Sequence, residues 1–224
     1  IYSEGYEWGA FYGYQYIGLY QTDQQVANAP KVAGAPVQKG DLMFKDQNGD
    51  GKIDANDRVA LGSDFPGVSF GLNLKVKYRN LDLLLFGQGA AKVYQLLANN
   101  ILFPFINGYK AQKADLNRWT PETPNAKNPI THVTQSYNYN TISSFMVVNS
   151  SYLRLKNMQI GYTFNRISLR KLHIDQARIY VSGQNILTWT KLNTDRGFDP
   201  ESPVNANYNY PNVKTYTVGI NLNF

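Results

Sequence analysis

The sequence predicts an all-β protein of the antiparallel transmembrane barrel class, on three observations. Its strand-like segments alternate with a strict period of two. Its composition is rich in Tyr and poor in charge. Its connections are alternately short and long. The 224 residues carry 17 Tyr, aromatics make up 14% and charged residues only 17%, against about 25% charged in an average globular chain. Many Tyr and Gly with few charges suit strands that have one greasy face and one wet face.

The last segment, Lys214 to Phe224, shows the design most clearly. Tyr216, Val218, Ile220, Leu222 and Phe224 fall on one face of a strand, and Thr215, Thr217, Gly219, Asn221 and Asn223 on the other. Alternation alone also fits a strand of a soluble sandwich. The small neutral polar face distinguishes the two, because a face meeting bulk water is usually rich in Lys and Glu, whereas Thr, Gly and Asn suit a wet lumen. A strand of roughly ten residues is also what a tilted bilayer crossing requires.

The other elements follow in order. Residues 5–20 read as a strand with Tyr6, Trp8, Tyr12, Tyr14 and Tyr16 on one face, either in a sandwich or as an interfacial aromatic girdle. Residues 21–66 are a long polar connection. Phe70, Leu72, Leu74, Val76 and Tyr78 then alternate with small and basic residues, and a tight turn near Arg79-Asn80 leads into LDLLLFGQGA. From about 91 to 143 the pattern dissolves among Pro104, Pro121, Pro124 and Pro129. It returns in SSYLRLKNMQIGYTF, crosses a basic turn at 165–176, and resumes in ARIYVSGQNILTWTKL. There Asn185 breaks the alternation, which predicts a bulge or a change of register. A loop rich in Asp, Pro and Asn precedes the final strand. This makes about six strands, too few to close a membrane barrel, which needs about eight or more. Further strands are therefore expected upstream of Ile1.

No apolar run approaches the roughly 18 residues of a membrane helix. The net charge of +6 is spread without a basic run, which argues against nucleic acid, and the lack of Cys excludes disulfides and thiolate metal or redox sites. Catalytic constellations are absent: His132 and His173 stand alone, and there is no phosphate-cradling Gly loop or nucleophile elbow. No enzymatic activity is expected. A glycan hydrolase would need a carboxylate pair in a cleft, whereas the acidic residues cluster in one loop.

That loop, DQNGDGKIDAND at 46–57, is the sharpest motif. Asp46, Asn48 and Asp50 take positions 1, 3 and 5 of a calcium loop, with Gly51 at the sharp turn of position 6. Lys52 offers its carbonyl at position 7, Ile53 anchors position 8, and Asp54 and Asp57 stand at 9 and 12. A hard cation takes six to eight oxygens, which this spacing can wrap around it. Asp57 departs from the usual Glu, and no helical pattern flanks the loop. The expected cofactor is structural calcium, and the alternative is an Asx-rich turn without an ion. Trp119, in Arg118-Trp119-Thr120-Pro121, is a candidate substrate-stacking ring or else a pin for a long loop.

Taken in order, GAFYGYQYIGLYQT, GDLMFKDQNGDGKIDANDRVALGSDFP, FGLNLKVKYRNLDLLLFGQG, RWTPETPNAKNP, SSYLRLKNMQIGYTF, ARIYVSGQNILTWTKL, GFDPESP and YPNVKTYTVGINLNF span nearly the whole chain. This ordered set resembles the SusC/RagA-type TonB-dependent outer-membrane transporters of Bacteroidetes. The resemblance implies the C-terminal part (1–224) of a 22-stranded barrel, with an extracellular calcium-type loop at 40–66. It implies a plug and a TonB contact segment that have no counterpart in these residues, and a SusD-like lipoprotein lid. The implied function is outer-membrane import of glycans or peptides. Tyr216, Val218, Ile220, Leu222 and Phe224 would form the closing strand, whose terminal aromatic resembles the barrel-assembly signal. A secreted, calcium-stabilised β-sandwich binding module is the alternative reading.

Overall fold

Strands whose side chains alternate can satisfy their backbone only by pairing with neighbours, and five long segments do so in one antiparallel sheet. The computed structural model describes residues 7–32, 36–97, 102–105, 110–132, 138, 141–164, 174–192, 198–202 and 212–224. The sheet consists of β7 (Val68–Tyr78), β8 (Leu81–Ala91), β11 (Tyr152–Phe164), β12 (Gln176–Thr190) and β13 (Thr215–Asn223), in the order β13-β12-β11-β8-β7. It is an open segment of a barrel wall.

Register carries each apolar set onto one face. Val76, Leu83, Ile160, Val181 and Val218 form a continuous row across all five strands, and Tyr78, Leu81, Tyr162, Ile179 and Ile220 form the next. Most of these side chains are exposed: Tyr78 is 66% and Val218 72% exposed, with Leu83 half-buried between its neighbours. No second sheet covers them among the described residues, so the sandwich alternative lacks the layer that would bury them. Val218 and Ile220 face outward, as the alternation of the last strand predicts.

The predicted turn is present. Tyr78 pairs with Leu81 across a two-residue loop in which Arg79 has φ 53°. Asn185 also breaks the ladder: Leu155 pairs with Leu187 but Asn157 with Gln184, and Asn185 sits at φ 52°. The tight turn, the end of β11 at Phe164 and the start of β12 at Gln176 lie at one end of the sheet. The 92–151 and 191–214 connections lie at the other, since Ala90 pairs with Tyr152 and Tyr152 with Thr190. Residues 165–173 of the basic turn lie outside the described residues.

The long connections build a loop layer of their own. Segment 5–20 is not a sixth strand of the wall: it forms β1 (Ala10–Tyr14) and β2 (Tyr16–Leu19), which pair with β6 (Arg58–Ser63) and β4 (Leu42–Phe44). Nor is it a girdle strand. Tyr14 is buried and stacked on Phe44 at 5.6 Å, and Tyr16 meets the edge of Phe145 at 5.3 Å. Trp8 remains exposed beside Phe65, and Tyr6 lies outside the described residues. Alternation fixes which residues share a face but not which partner buries it, and here the partner is a loop core. The polar connection 21–66 also holds α1 (Asp23–Ala27), capped by Thr22 and Gln25, and β3 (Lys31–Val32), parallel to β5 (Lys52–Ile53). The antiparallel pair of β9 (Tyr94–Leu96) and β10 (Val147–Asn149) completes the layer. Its core gathers Tyr14, Leu19, Leu42, Phe44, Ile53 and Trp119, among others.

Candidate functional site

The face of the sheet opposite the apolar rows is mostly polar, with Leu84 and Phe86 of β8 among its side chains, and two charge clusters are built into it. Near the tight-turn end, Arg178 on β12 reaches across β11 to Asp82 on β8, with Nε to Oδ1 at 2.9 Å and Nη2 to Oδ2 at 2.5 Å. The crossing is possible because Gly161 lies between them: a Cβ there would stand 2.3 Å from Arg178 Nη2. Tyr180 likewise lies over Gly219, whose Cβ would fall 2.4 Å from the phenol oxygen. The guanidinium sits 5.2 Å from the Tyr180 ring. With its amide oxygen turned toward Arg178, Gln159 also accepts from Nη2 at 2.6 Å.

Near the loop-layer end, Arg154 on β11 is only 2% exposed. Its Nε donates to Thr188 Oγ1 at 2.8 Å, its Nη2 to Asp199 Oδ2 at 2.8 Å, and its Nη1 to Glu201 Oε2. Glu201 also accepts from the Tyr152 hydroxyl at 2.8 Å, Lys156 Nζ at 2.7 Å and Asn212 Nδ2 at 3.0 Å. Two cations and two anions thus balance in one buried cluster, the condition under which charges can leave water at all.

In the loop layer, Asp41 is buried and its Oδ1 contacts His132 Nε2 at 2.7 Å and Asn138 Nδ2 at 2.8 Å. The Asn138 oxygen in turn accepts the Leu42 N–H at 2.9 Å. Tyr20 packs nearby, and burial, together with the Asp41 charge, raises its phenol above its ordinary value.

The 46–57 loop has the backbone of the predicted motif. Gly51 holds φ 77° at the sharp turn, and Ile53 inserts into the loop core. Its carboxylates, however, are occupied by backbone donors. Asp46 accepts from Gly49 N at 2.7 Å and Gly51 N at 2.8 Å, and Asp50 from Lys52 N at 2.9 Å. Asp54 accepts from Asn56 N at 2.8 Å, while Asn48 Oδ1 accepts from Asp50 N at 3.1 Å. Asp57 is buried and accepts from Gln47 N and Asp54 N, both at 2.8 Å. Burial by itself would raise the Asp57 carboxyl. The hydrogen bonds from the Asp54, Gln47 and Asn48 backbones and with Asp46 outweigh it, leaving the group below its ordinary value. Among the described residues no three acidic or imidazole side chains converge on one point. The loop thus has the spacing and the backbone path of the motif, with its side-chain oxygens accepting from its own backbone.

The whole chain aligns with TonB-dependent receptor P3 of Formosa agariphila at 34% identity, covering 100% of this chain and 23% of that protein. Along its full length the chain matches TonB-dependent receptors. It aligns with TonB-dependent receptor SusC of Bacteroides thetaiotaomicron at 26% identity over 98% of the chain and 20% of the relative. The fold matches the structure of the RagAB peptide transporter, with TM-score 0.70 and 23% identity over 95% of this chain and 22% of that one. It also matches the RagAB peptide importer in the "closed-closed" state, with TM-score 0.66 and 25% identity over 95% of this chain and 23% of that one. No family model matches the chain. The chain spans about a quarter or less of the length of these relatives.

In the loop layer of this receptor-like segment, Trp119 does not offer a face to a ligand. The ring is 4% exposed, and Gly40 at φ 87° makes room for it, since a Cβ there would stand 2.5 Å from the indole. Its Nε1 donates to Gln21 Oε1 at 2.9 Å, so the ring pins the long loop. Sequence reasoning missed Arg154, Asp199 and Glu201, and it missed the pair of Asp82 and Arg178. The signal was present: Asp82, Arg154 and Arg178 are isolated charges on strands whose alternate positions are apolar. A charge on the wet face of such a strand invites a search for its partner, which sequence separation conceals.

Proposed function

We propose that this chain is part of an outer-membrane TonB-dependent nutrient importer that takes up glycans or peptides with a SusD-like lipoprotein lid. The observation that carries this is the five-strand apolar face, largely exposed and backed by a face that carries the Arg178–Asp82 and Arg154–Glu201 pairs. In water such a face would be covered or would aggregate; in lipid it is at home. The match with TonB-dependent receptors along the whole chain supports the same reading. Lipid also forbids open sheet edges, so β7 and β13 would each take a further partner strand. In this reading the end with the tight 79–80 turn is periplasmic, and the 21–66, 91–143 and 193–213 connections are outside. Energy for import would come through a TonB-contacting segment and a plug beyond these residues, and the segment does no covalent chemistry. The 46–57 loop would brace the outer surface. Calcium is the hard cation that its spacing suits, and the oxygens of Asp46, Asn48 and Asp50 keep lone pairs for it beyond those that accept backbone N–H groups.

The test uses the full-length receptor in cells. A cysteine introduced at residue 80 should resist an impermeant thiol reagent on intact cells, and one in the 110–132 segment should react. Deleting the gene should abolish growth on one class of oligomeric nutrient. Labelling at residue 80 alone would refute the orientation, and detergent-free solubility of the receptor would refute the membrane reading. Calorimetric titration with millimolar calcium decides the brace: absence of heat leaves the hydrogen-bonded turn as the only brace.

A further inference from the structure

The 191–214 connection reads as an outer loop, yet its turn at Asp199-Pro200-Glu201 is fastened to the inner face of the sheet. Arg154 lies on that face, because its neighbours Leu153 and Leu155 share the apolar rows with Gly89 and Gly87. The turn is held from the wall by Arg154, Tyr152 and Lys156. It is held from the loop layer by Gln95 on β9, whose Nε2 donates to Pro200 O at 3.1 Å and Ser202 O at 3.2 Å. Asp199 also ties the turn to itself, accepting Glu201 N at 2.9 Å. Both carboxylates are nearly buried, with side-chain exposures of 9% and 14%.

We propose that residues 198–202 form a fixed shelf on the polar inner wall, locked by Arg154, and that substrate passes a rigid ledge there and not a swinging loop. Arg154 is a positioning residue: it acts on the passage only through the turn it holds. Its planar fork serves Thr188, Asp199 and Glu201 together, a task beyond the single point charge of Lys. Lys156 adds a second cation to Glu201, and Gln95 links the shelf to the β9–β10 pair, so wall and loop layer meet at this turn. Calling this face a lumen wall rests on the importer reading, whereas the lock itself does not.

The experiment uses the purified full-length receptor in detergent, so its outcome is independent of what the receptor imports. This chain has no cysteine, and Ser202→Cys places a reporter thiol on the shelf, with the parent receptor as the control for any thiol elsewhere. With Arg154 intact, the thiol should react slowly with a bulky maleimide. Arg154→Gln and, separately, Glu201→Gln should each raise the rate at least tenfold while the barrel keeps its heat-modifiable gel mobility. Arg154→Lys should restore only part of the protection. Unchanged rates in assembled Arg154→Gln receptor would overturn the lock. If that variant fails to assemble, Glu201→Gln decides in the same way. Complete rescue by Arg154→Lys would show that charge alone suffices and would refute the fork.

Discussion

Leu72 and Asn73 are neighbours on β7 with opposite fates. Leu72 lies on the bare apolar face in register with Gly87, and Asn73 on the polar face in register with Phe86. The strand runs from Val68 to Tyr78, so Leu72 is four residues from one end and six from the other, about 14 and 20 Å at roughly 3.4 Å per residue. With a tilt of about 45° these become depths of about 10 and 14 Å, which sum to about the 25 Å apolar band of a membrane barrel. Leu72 is thus close to the midplane, where an Arg costs about 2–4 kcal/mol. Leu72→Arg should raise the unfolding equilibrium constant of the full receptor in bilayers by about 30- to 700-fold. Asn73→Arg should change it by no more than about 0.5 kcal/mol. In a water-facing sheet, a residue as exposed as Leu72 would tolerate Arg just as well. The measurement is denaturant unfolding of bilayer-reconstituted receptor, with gel mobility reporting assembly in cells. Equal behaviour of the two variants would refute the lipid-facing assignment.

Three further outcomes are expected. Gly161→Ala should displace only the flexible end of Arg178 and cost about 1 kcal/mol, the worth of a partly exposed ion pair screened by lumen water, whereas Gly13→Ala would put a Cβ 2.4 Å from the Ile142 carbonyl oxygen and should cost about 3 kcal/mol; paired thermal denaturation of the two variants reads the difference. Trp119→Ala should cost the loop layer about 3–5 kcal/mol by leaving a cavity over Gly40, seen as faster proteolysis of the outer connections with the barrel still heat-modifiable. Because the Asp57 carboxyl titrates below its ordinary value in the folded loop, its contribution is complete above the ordinary range near pH 4 and disappears as pH falls through the lowered value; proteolytic protection of 46–57 should follow that course, and Asp57→Asn should remove the dependence.

Alternation determined the wall. Because side chains on a strand have a period of two, LNLKVKY, MQIGYTF and TYTVGINLNF each declare two faces, and a break such as Asn185 declares a bulge. The Arg79-Asn80 turn was equally legible, since a tight connection between two alternating runs is local chemistry. The loop motif at 46–57 gave its backbone path, with Gly51 at a positive φ and Ile53 anchored inward, because hydrogen bonds two to five residues apart shape it. What lay beyond local chemistry was partnership. Segment 5–20 has the alternation of a wall strand, and only packing against Phe44 and Phe145 reveals that its rings serve the loop core. Trp119 reads as a ligand platform or as a pin until Gly40 is seen beneath it. Arg154 and Glu201, like Arg178 and Asp82, are far apart in sequence, the first pair meeting where a turn folds back onto the sheet and the second across it. Such pairs depend on register and on where a long connection folds back, and those are decided by the tertiary structure.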